Sequence, residues 1–125
     1  MDIDEEMLNQ FLDYLDSASV ELKENCAILQ NSTEITPEQV DNFYGVIHNL
    51  KGMGQTFGYD LLTDIGAEFC SYVKNLSRPE LINITLVGDY NKVFQMIIEH
   101  RIDGNGGDKG QAILSRMKEK TAQAG

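Results

Sequence analysis

Apolar residues recur every three or four positions along almost the whole 125-residue chain. This spacing places apolar side chains on one face of an α-helix, whereas a half-buried strand would alternate them at every second position. No stretch shows that alternation, and no internal repeat or low-complexity linker interrupts the helical pattern. We therefore expect an all-α protein and, at this length, a single domain over residues 1–125.

Five helices are predicted from this spacing and from the residues that begin and end helices. Thr36, Pro37 and Gln39 form a capping box with proline at the first helical position, and Gly58 is suited to end that second helix. The short connections favour an up-and-down antiparallel four-helix bundle with an additional C-terminal helix. The expected ranges are 4–30, 36–58, 59–76, 77–102 and 108–120, followed by a frayed tail at 121–125.

The charge of the chain excludes several classes of partner. Acidic residues outnumber basic ones by 20 to 10, which gives a formal net charge of −10. This charge repels nucleic acids and anionic membranes, so we expect neither as a partner. The acidic start of the sequence is unlike a signal peptide, and no apolar run reaches the ~20 residues of a membrane-spanning helix. We expect a cytoplasmic monomer.

The excess of acid is confined to the first third of the chain. Residues 1–41 hold eleven acidic residues and one basic residue, whereas residues 42–125 hold nine of each. The first helix is therefore expected to carry a separate negative field that steers partners, although a solvated face is the default interpretation. We expect the salt dependence of association with a partner to change when four acidic residues of this helix are neutralised: Asp13, Asp16, Glu21 and Glu24.

The sequence shows no motif for a metal site or a redox site. Cys26 and Cys70 form no Cys-x-x-Cys pair, and their apolar neighbours favour buried free thiols. The glycine-rich segment 103–108 lacks the ligand pattern of a calcium loop and the Gly-Lys-Ser/Thr ending of a P-loop. His100 has no cluster of possible ligands at metal spacing. We expect no cofactor in this chain.

One segment of the second helix carries residues that packing alone does not explain. His48 lies about 130° from the centre of the apolar stripe, so its imidazole is expected to project into solvent, on the same face as Gln55. Gly45 and Gly52 flank it, although glycine costs roughly 1 kcal/mol relative to alanine inside a helix. Their missing side chains leave clearance, and Lys51 adds a cation one turn along. This combination suits covalent phosphoryl transfer to the ring.

A second interpretation of the same residues requires no chemistry. Histidine and lysine are ordinary residues on solvated helix faces, and glycines also permit close packing of helices. On this interpretation the chain is a non-catalytic helical module that binds another protein. The residues alone leave both interpretations open, and acid-labile phosphate on the protein would distinguish them.

The segment around the histidine also resembles a known signature. The run HNLKG at residues 48–52, followed by Gly58, resembles the H-x-L-K-G…G motif of the histidine-containing phosphotransfer (HPt) domains of two-component signalling. The layout, with a long first helix and the motif on the second, is most similar to the N-terminal phosphotransfer domain of chemotaxis-type histidine kinases.

The resemblance implies a phosphocarrier that is not an enzyme by itself. His48 would accept a phosphoryl group on its outer ring nitrogen from a histidine kinase catalytic domain or a receiver domain. It would then pass the group to an aspartate of a response-regulator receiver domain, which would supply the Mg²⁺. Lys51 would hydrogen-bond the phosphoryl oxygens. The residues that would provide clearance and shape around the ring are Gly45, Gly52, Gln55 and Gly58.

One position departs from the chemotaxis-type pattern. In those domains a glutamate on the third helix accepts a hydrogen bond from the inner ring nitrogen of the histidine, and the corresponding place here falls on Cys70. A thiol is a poor substitute for a carboxylate as an acceptor. Gln55, Asp64 or Glu68 could orient the ring instead, or the ring could be unrestrained.

Overall fold

The computed structural model describes residues 3–124, and every regular element in that range is helical. The all-α prediction is confirmed, and no described helix is both long and apolar enough to cross a membrane. A single 3₁₀ turn lies between the third and fourth helices, at Pro79–Leu81. The five α-helices are α1 (Glu5–Asn31), α2 (Pro37–Thr56), α3 (Asp60–Lys74), α4 (Ile84–Glu99) and α5 (Gly107–Ala124).

The predicted limits of α2 agree with the structure because the signals are local. The Gln39 N–H donates to the Thr36 hydroxyl at 3.2 Å, and the Thr36 N–H donates to the Gln39 side chain at 3.1 Å. At the other end Gly58 adopts a φ of +78°, which favours glycine. The Tyr59 N–H then closes the last turn on the Gly54 carbonyl at 2.8 Å.

The predicted start of the fourth helix at residue 77 is wrong. Its cap is Asn83, whose side chain accepts a hydrogen bond from the Leu86 N–H at 3.0 Å. The Asn83 N–H in turn donates to the Tyr72 hydroxyl of α3 at 2.9 Å. This contact and the burial of Ile82, which is 5% exposed, fix the chain after the 3₁₀ turn, so α4 begins only after Asn83.

The fourth helix also ends earlier than predicted, at Glu99. Arg101 adopts a positive φ of 50°, and the N–H groups of Arg101 and Ile102 donate to carbonyls of the last turn at 3.2 and 3.0 Å. The Arg101 guanidinium binds both oxygens of Asp16 on α1, at 2.9 and 3.0 Å. Asp16, one of the four acids chosen for neutralisation, is therefore paired with Arg101.

The predicted frayed tail is also corrected. Residues 121–124 form the last turn of α5, and residue 125 lies outside the described part. The Thr121 hydroxyl bonds to the Tyr90 hydroxyl of α4 at 2.6 Å, and Lys120 pairs with Asp89 at 3.2 Å. These contacts with α4 hold the end of α5 in place.

The buried apolar faces of the helices form one core. α1 packs against α2 and α4, α2 packs against α3, and α5 lies mainly against α3. Phe11 of α1 stacks on Phe57 at the end of α2, with ring centroids 4.3 Å apart. Cys26 and Cys70 are free thiols and both are buried, as expected.

The glycine-rich segment forms a loop that docks on the turn between α2 and α3. The Gly104 N–H donates to the Gly58 carbonyl at 2.7 Å, and the Leu61 N–H donates to the Gly104 carbonyl at 2.8 Å. Gly106, with a φ of +77°, lies so close to Leu61 that a side chain could not be added there. This loop therefore has a structural role at the end of the helix that carries His48.

Candidate functional site

The imidazole of His48 lies on the exposed face of α2. The buried face of α2 contacts α1 and α3, and His48 lies on the opposite side of the helix. The exposure predicted from the helical spacing is therefore confirmed. The buried residues of α2 are Val40, Phe43, Val46, Ile47, Leu50 and Gly54.

The glycines around His48 fall into two groups. A methyl group added to Gly45 or Gly52 would meet nothing within 4 Å, so both positions leave open space beside the ring. A methyl group on Gly54 would lie 2.9 Å from the Thr63 hydroxyl, so this glycine permits close packing of α3. Clearance and packing, the two roles that the sequence left open, therefore occur at different glycines.

Lys51 is held at its backbone by α3. Its carbonyl accepts a hydrogen bond from the Thr63 hydroxyl at 3.0 Å, and a methyl group on Gly66 would lie 3.1 Å from its Cβ. Its ammonium forms no ion pair with a carboxylate in residues 3–124. The base of this side chain is thus fixed while its charge remains available to an anion.

A shallow, mainly apolar depression lies beside His48, between α1 and α2. Tyr14 of α1 contributes a half-buried ring, and burial, with a smaller effect of Glu21, raises the pKa of its hydroxyl. Met53 is 37% exposed there. Sequence reasoning missed both residues, because only the packing of α1 on α2 brings Tyr14 to this surface. The depression is lined by Tyr14, His48, Asn49, Gly52 and Met53.

The aromatic ring of Tyr44 stacks on the imidazole of His48 from one helical turn away. The ring centroids are 5.8 Å apart and the planes are inclined by 26°. Tyr44 is partly buried and packs against the core, so its ring has little freedom. Its position four residues before His48 puts it on the same helix face, and this spacing was the signal available in the sequence.

Cys70 of α3 is buried next to Tyr44. Burial raises the pKa of its thiol, and this effect is opposed by the charge of Lys51, the nearby Tyr44 hydroxyl and the charge of Lys74. A thiol close to Tyr44 therefore stands at the place where the resemblance expects a glutamate.

Gln55, Asp64 and Glu68, which could have oriented the ring, either pair with another residue or are exposed to solvent. Glu68 pairs with Lys118 of α5 at 3.8 Å, while Gln55 and Asp64 are exposed. Within residues 3–124 no carboxylate forms an ion pair with His48. The aromatic contact of His48 in the described residues is the stacking on Tyr44.

His100 provides a useful comparison with His48. It caps the C-terminus of α4 and is also exposed. It has no glycine three residues before it, and within residues 3–124 no aromatic ring stacks on it. In the described range no group of three His, Cys, Asp or Glu side chains is placed to hold a metal ion.

Comparison with known proteins yields no match to a family model, a characterised protein or a solved structure. Function is therefore inferred from the residues around His48 and from their geometry.

Proposed function

We propose that this chain is a histidine phosphotransfer protein of two-component signalling. The observation that carries the proposal is an exposed His48 between Gly45 and Gly52, whose missing side chains leave open space. Lys51 lies one helical turn further along, and its ammonium forms no ion pair within residues 3–124. Its backbone carbonyl is hydrogen-bonded to Thr63 of α3. The resemblance of residues 48–58 to the HPt signature supports the same function.

The helical arrangement is compatible with this proposal. α1 packs on α2 and α4, and α3 packs on α2 and α4, which is the contact order of a four-helix bundle. We assign α1–α4 to an up-and-down antiparallel bundle and α5 to an additional helix on α3. This is the fold that the resemblance implies.

The proposed reaction transfers a phosphoryl group between His48 and an aspartate. The lone pair of the outer ring nitrogen forms a bond to phosphorus while the bond from phosphorus to the donor oxygen breaks, and that oxygen leaves with the electron pair. Such transfers need in-line positioning and charge neutralisation more than elaborate chemistry on the acceptor. Lys51 would stabilise the phosphoryl oxygens, and the receiver domain would supply the acidic pocket and Mg²⁺.

The depression beside His48 supports docking of a receiver domain. Its mainly apolar surface, with Tyr14 on one side and Met53 on the other, lies directly next to the imidazole. A partner that covers this surface would exclude water from the phosphoryl group and hold it in line with His48. Gly52 forms part of the surface and leaves the partner room.

The proposal is tested with phosphoramidate, a small donor whose nitrogen leaves as ammonia when the phosphoryl group is transferred. We expect one acid-labile, alkali-stable phosphoryl group per chain, located on His48 by mass spectrometry. His100→Gln is the matched control, since it removes the other exposed imidazole, and it should be labelled like the wild type. Labelling that persists in His48→Gln, or a wild-type chain that takes no label, would contradict the proposal.

A second candidate is a helical interaction module without chemistry. The exposure of Met53 within an apolar depression favours it, because a partner could cover this surface and make no covalent bond. This candidate predicts a protein that carries no phosphate after incubation with phosphoramidate. It also predicts that His48→Gln leaves partner binding unchanged.

A further inference from the structure

Within residues 3–124, the aromatic ring that stacks on the His48 imidazole is that of Tyr44. Tyr44 stacks on it with ring centroids 5.8 Å apart and an interplanar angle of 26°. Both values lie in the range in which offset-stacked rings attract one another. The depression, to which Tyr44 does not contribute, leaves the imidazole open on the side of Gly52.

Tyr44 is itself held by the third helix. It packs against the core, close to the thiol of Cys70, a residue that is 2% exposed. The approach of α3 makes this possible. A methyl group on Gly66 would lie 3.1 Å from the Cβ of Lys51 and 3.6 Å from the Ile47 carbonyl, so the two helices are nearly in backbone contact.

We infer that Tyr44, which packs against the core, is the positioning residue of this site. The inference rests on the proposed function and concerns how His48 is presented to the phosphoryl donor. Tyr44 restricts the rotation of the imidazole by stacking on one face and leaves the face towards the depression accessible. An aromatic ring thus orients the histidine in place of the carboxylate that the resemblance leads one to expect at residue 70.

The test compares Tyr44→Leu, which removes the ring, with Tyr44→Phe, which keeps the ring but loses the hydroxyl. In the NMR spectrum the His48 ring protons should lose the ring-current shift of Tyr44 in the leucine variant. Labelling by phosphoramidate should slow by about 2- to 10-fold, the range for one aromatic contact. The phenylalanine variant should retain most of the shift and of the rate.

The His100 ring signals serve as the internal control and should not move in any variant. Thermal melts check that each variant is folded.

The outcomes separate this inference from the proposed function. If His48 is labelled in the wild type but Tyr44→Leu changes neither the ring signals nor the rate, Tyr44 does not position the ring and the inference is wrong. If the wild type takes no label, the proposed function fails. The His48 ring signals of Tyr44→Leu then decide whether Tyr44 restrains the imidazole.

Discussion

At the scale of single residues, the open space beside His48 comes at a cost in helix stability. Gly45 and Gly52 lie in the interior of α2, where glycine is less favourable than alanine by roughly 1 kcal/mol. Neither position has a neighbour that would clash with a methyl group. Packing therefore does not require glycine at either position, and the open space agrees with the clearance that the proposed phosphoryl transfer needs.

Gly52→Ala is expected to stabilise the protein and impair its reaction. The free energy of unfolding should rise by about 0.5–1 kcal/mol, because the change removes backbone entropy from the unfolded chain without a clash in the folded one. Labelling of His48 by phosphoramidate should slow severalfold, because the new methyl group occupies the space next to the ring. Chemical denaturation and intact-protein mass spectrometry measure the two effects.

Gly45→Ala is the matched control for this prediction. Gly45 has the same open surroundings but does not line the depression. The Gly45→Ala variant should gain as much stability as Gly52→Ala, but its labelling by phosphoramidate should slow less. Equal labelling rates for Gly52→Ala and the wild type would show that the open space at Gly52 does not affect access of the donor to His48.

Part of this site could be predicted from the sequence because it depends on one helix. The exposure of His48 and its position near Lys51 follow from the helical repeat alone. The contacts of Tyr14 and Cys70 could not be predicted in the same way, because they depend on how α1 and α3 pack against α2. The choice between clearance and packing at each glycine depended on the same neighbours.

At the scale of elements, the end of α4 is held by a contact with α1. Arg101 adopts a left-handed conformation that is unfavourable for a residue with a side chain. Its guanidinium binds both carboxylate oxygens of Asp16, and this bidentate geometry is the strong form of such a pair. The pair fixes the direction in which the chain leaves α4 towards the glycine-rich loop.

Asp16→Asn is expected to lower the melting temperature at neutral pH but not in acid. The hydrogen bond from Arg101 lowers the pKa of Asp16, and this effect is larger than the opposing effect of desolvation. The positive charge of Arg101 lowers the pKa further. A lowered pKa stabilises the fold above the ordinary aspartate value of about 3.9, and this contribution is lost as the pH falls through the lower folded-state value. Thermal melts of the wild type and the variant should therefore converge below about pH 4.

Asp41→Asn is the control for the pH dependence. Asp41 is exposed on α2 and forms no ion pair within residues 3–124. The melting temperature of the Asp41→Asn variant should not fall by a comparable amount at neutral pH. A constant difference between Asp16→Asn and the wild type from neutral to strongly acidic pH would contradict the assignment of the effect to the carboxylate.

The element boundaries show where sequence reasoning reaches its limit. The capping box of α2 was predicted correctly because Thr36 and Gln39 satisfy each other within one turn. The start of α4 was missed because Asn83 is held by Tyr72, eleven residues earlier in the chain. The end of α5 was missed for the same reason, since Thr121 bonds to Tyr90 of another helix. Local patterns predict a boundary only where local groups decide it.

At the scale of the whole molecule, the negative charge is concentrated in the first third of the chain. Residues 1–41 carry a net charge of −10, and the remainder is neutral. Asp16 is paired with Arg101, and Asp13 lies close enough to raise the pKa of that arginine further. Glu21 and Glu24, by contrast, are exposed and outside any ion pair in the described residues.

The double change Glu21→Gln and Glu24→Gln is expected to raise the melting temperature at low ionic strength. Removing two like charges from an acidic helix relieves repulsion, and for exposed charges this corresponds to about 1–3 °C. The gain should disappear in high salt, where the Debye length is only about 3 Å at 1 M. Melts across a salt series measure the effect.

Glu119→Gln is the control for the charge effect. Glu119 is exposed on α5, between Lys118 and Lys120 in the sequence, where a negative charge is favourable. Its replacement should not raise the melting temperature at low salt. A gain of equal size in this variant would mean that the distribution of charge along the chain has no bearing on stability.

The docking of Gly104 on the turn after α2 has a consequence for the order of folding. The hydrogen bonds from Gly104 to Gly58 and from Leu61 to Gly104 join segments more than forty residues apart in the chain. During synthesis, α1 and α2 leave the ribosome well before residue 104 does. The helix that bears His48 can form early, but the turn that ends it is completed only after residue 104 has been made. A nascent chain therefore acquires its mature site late.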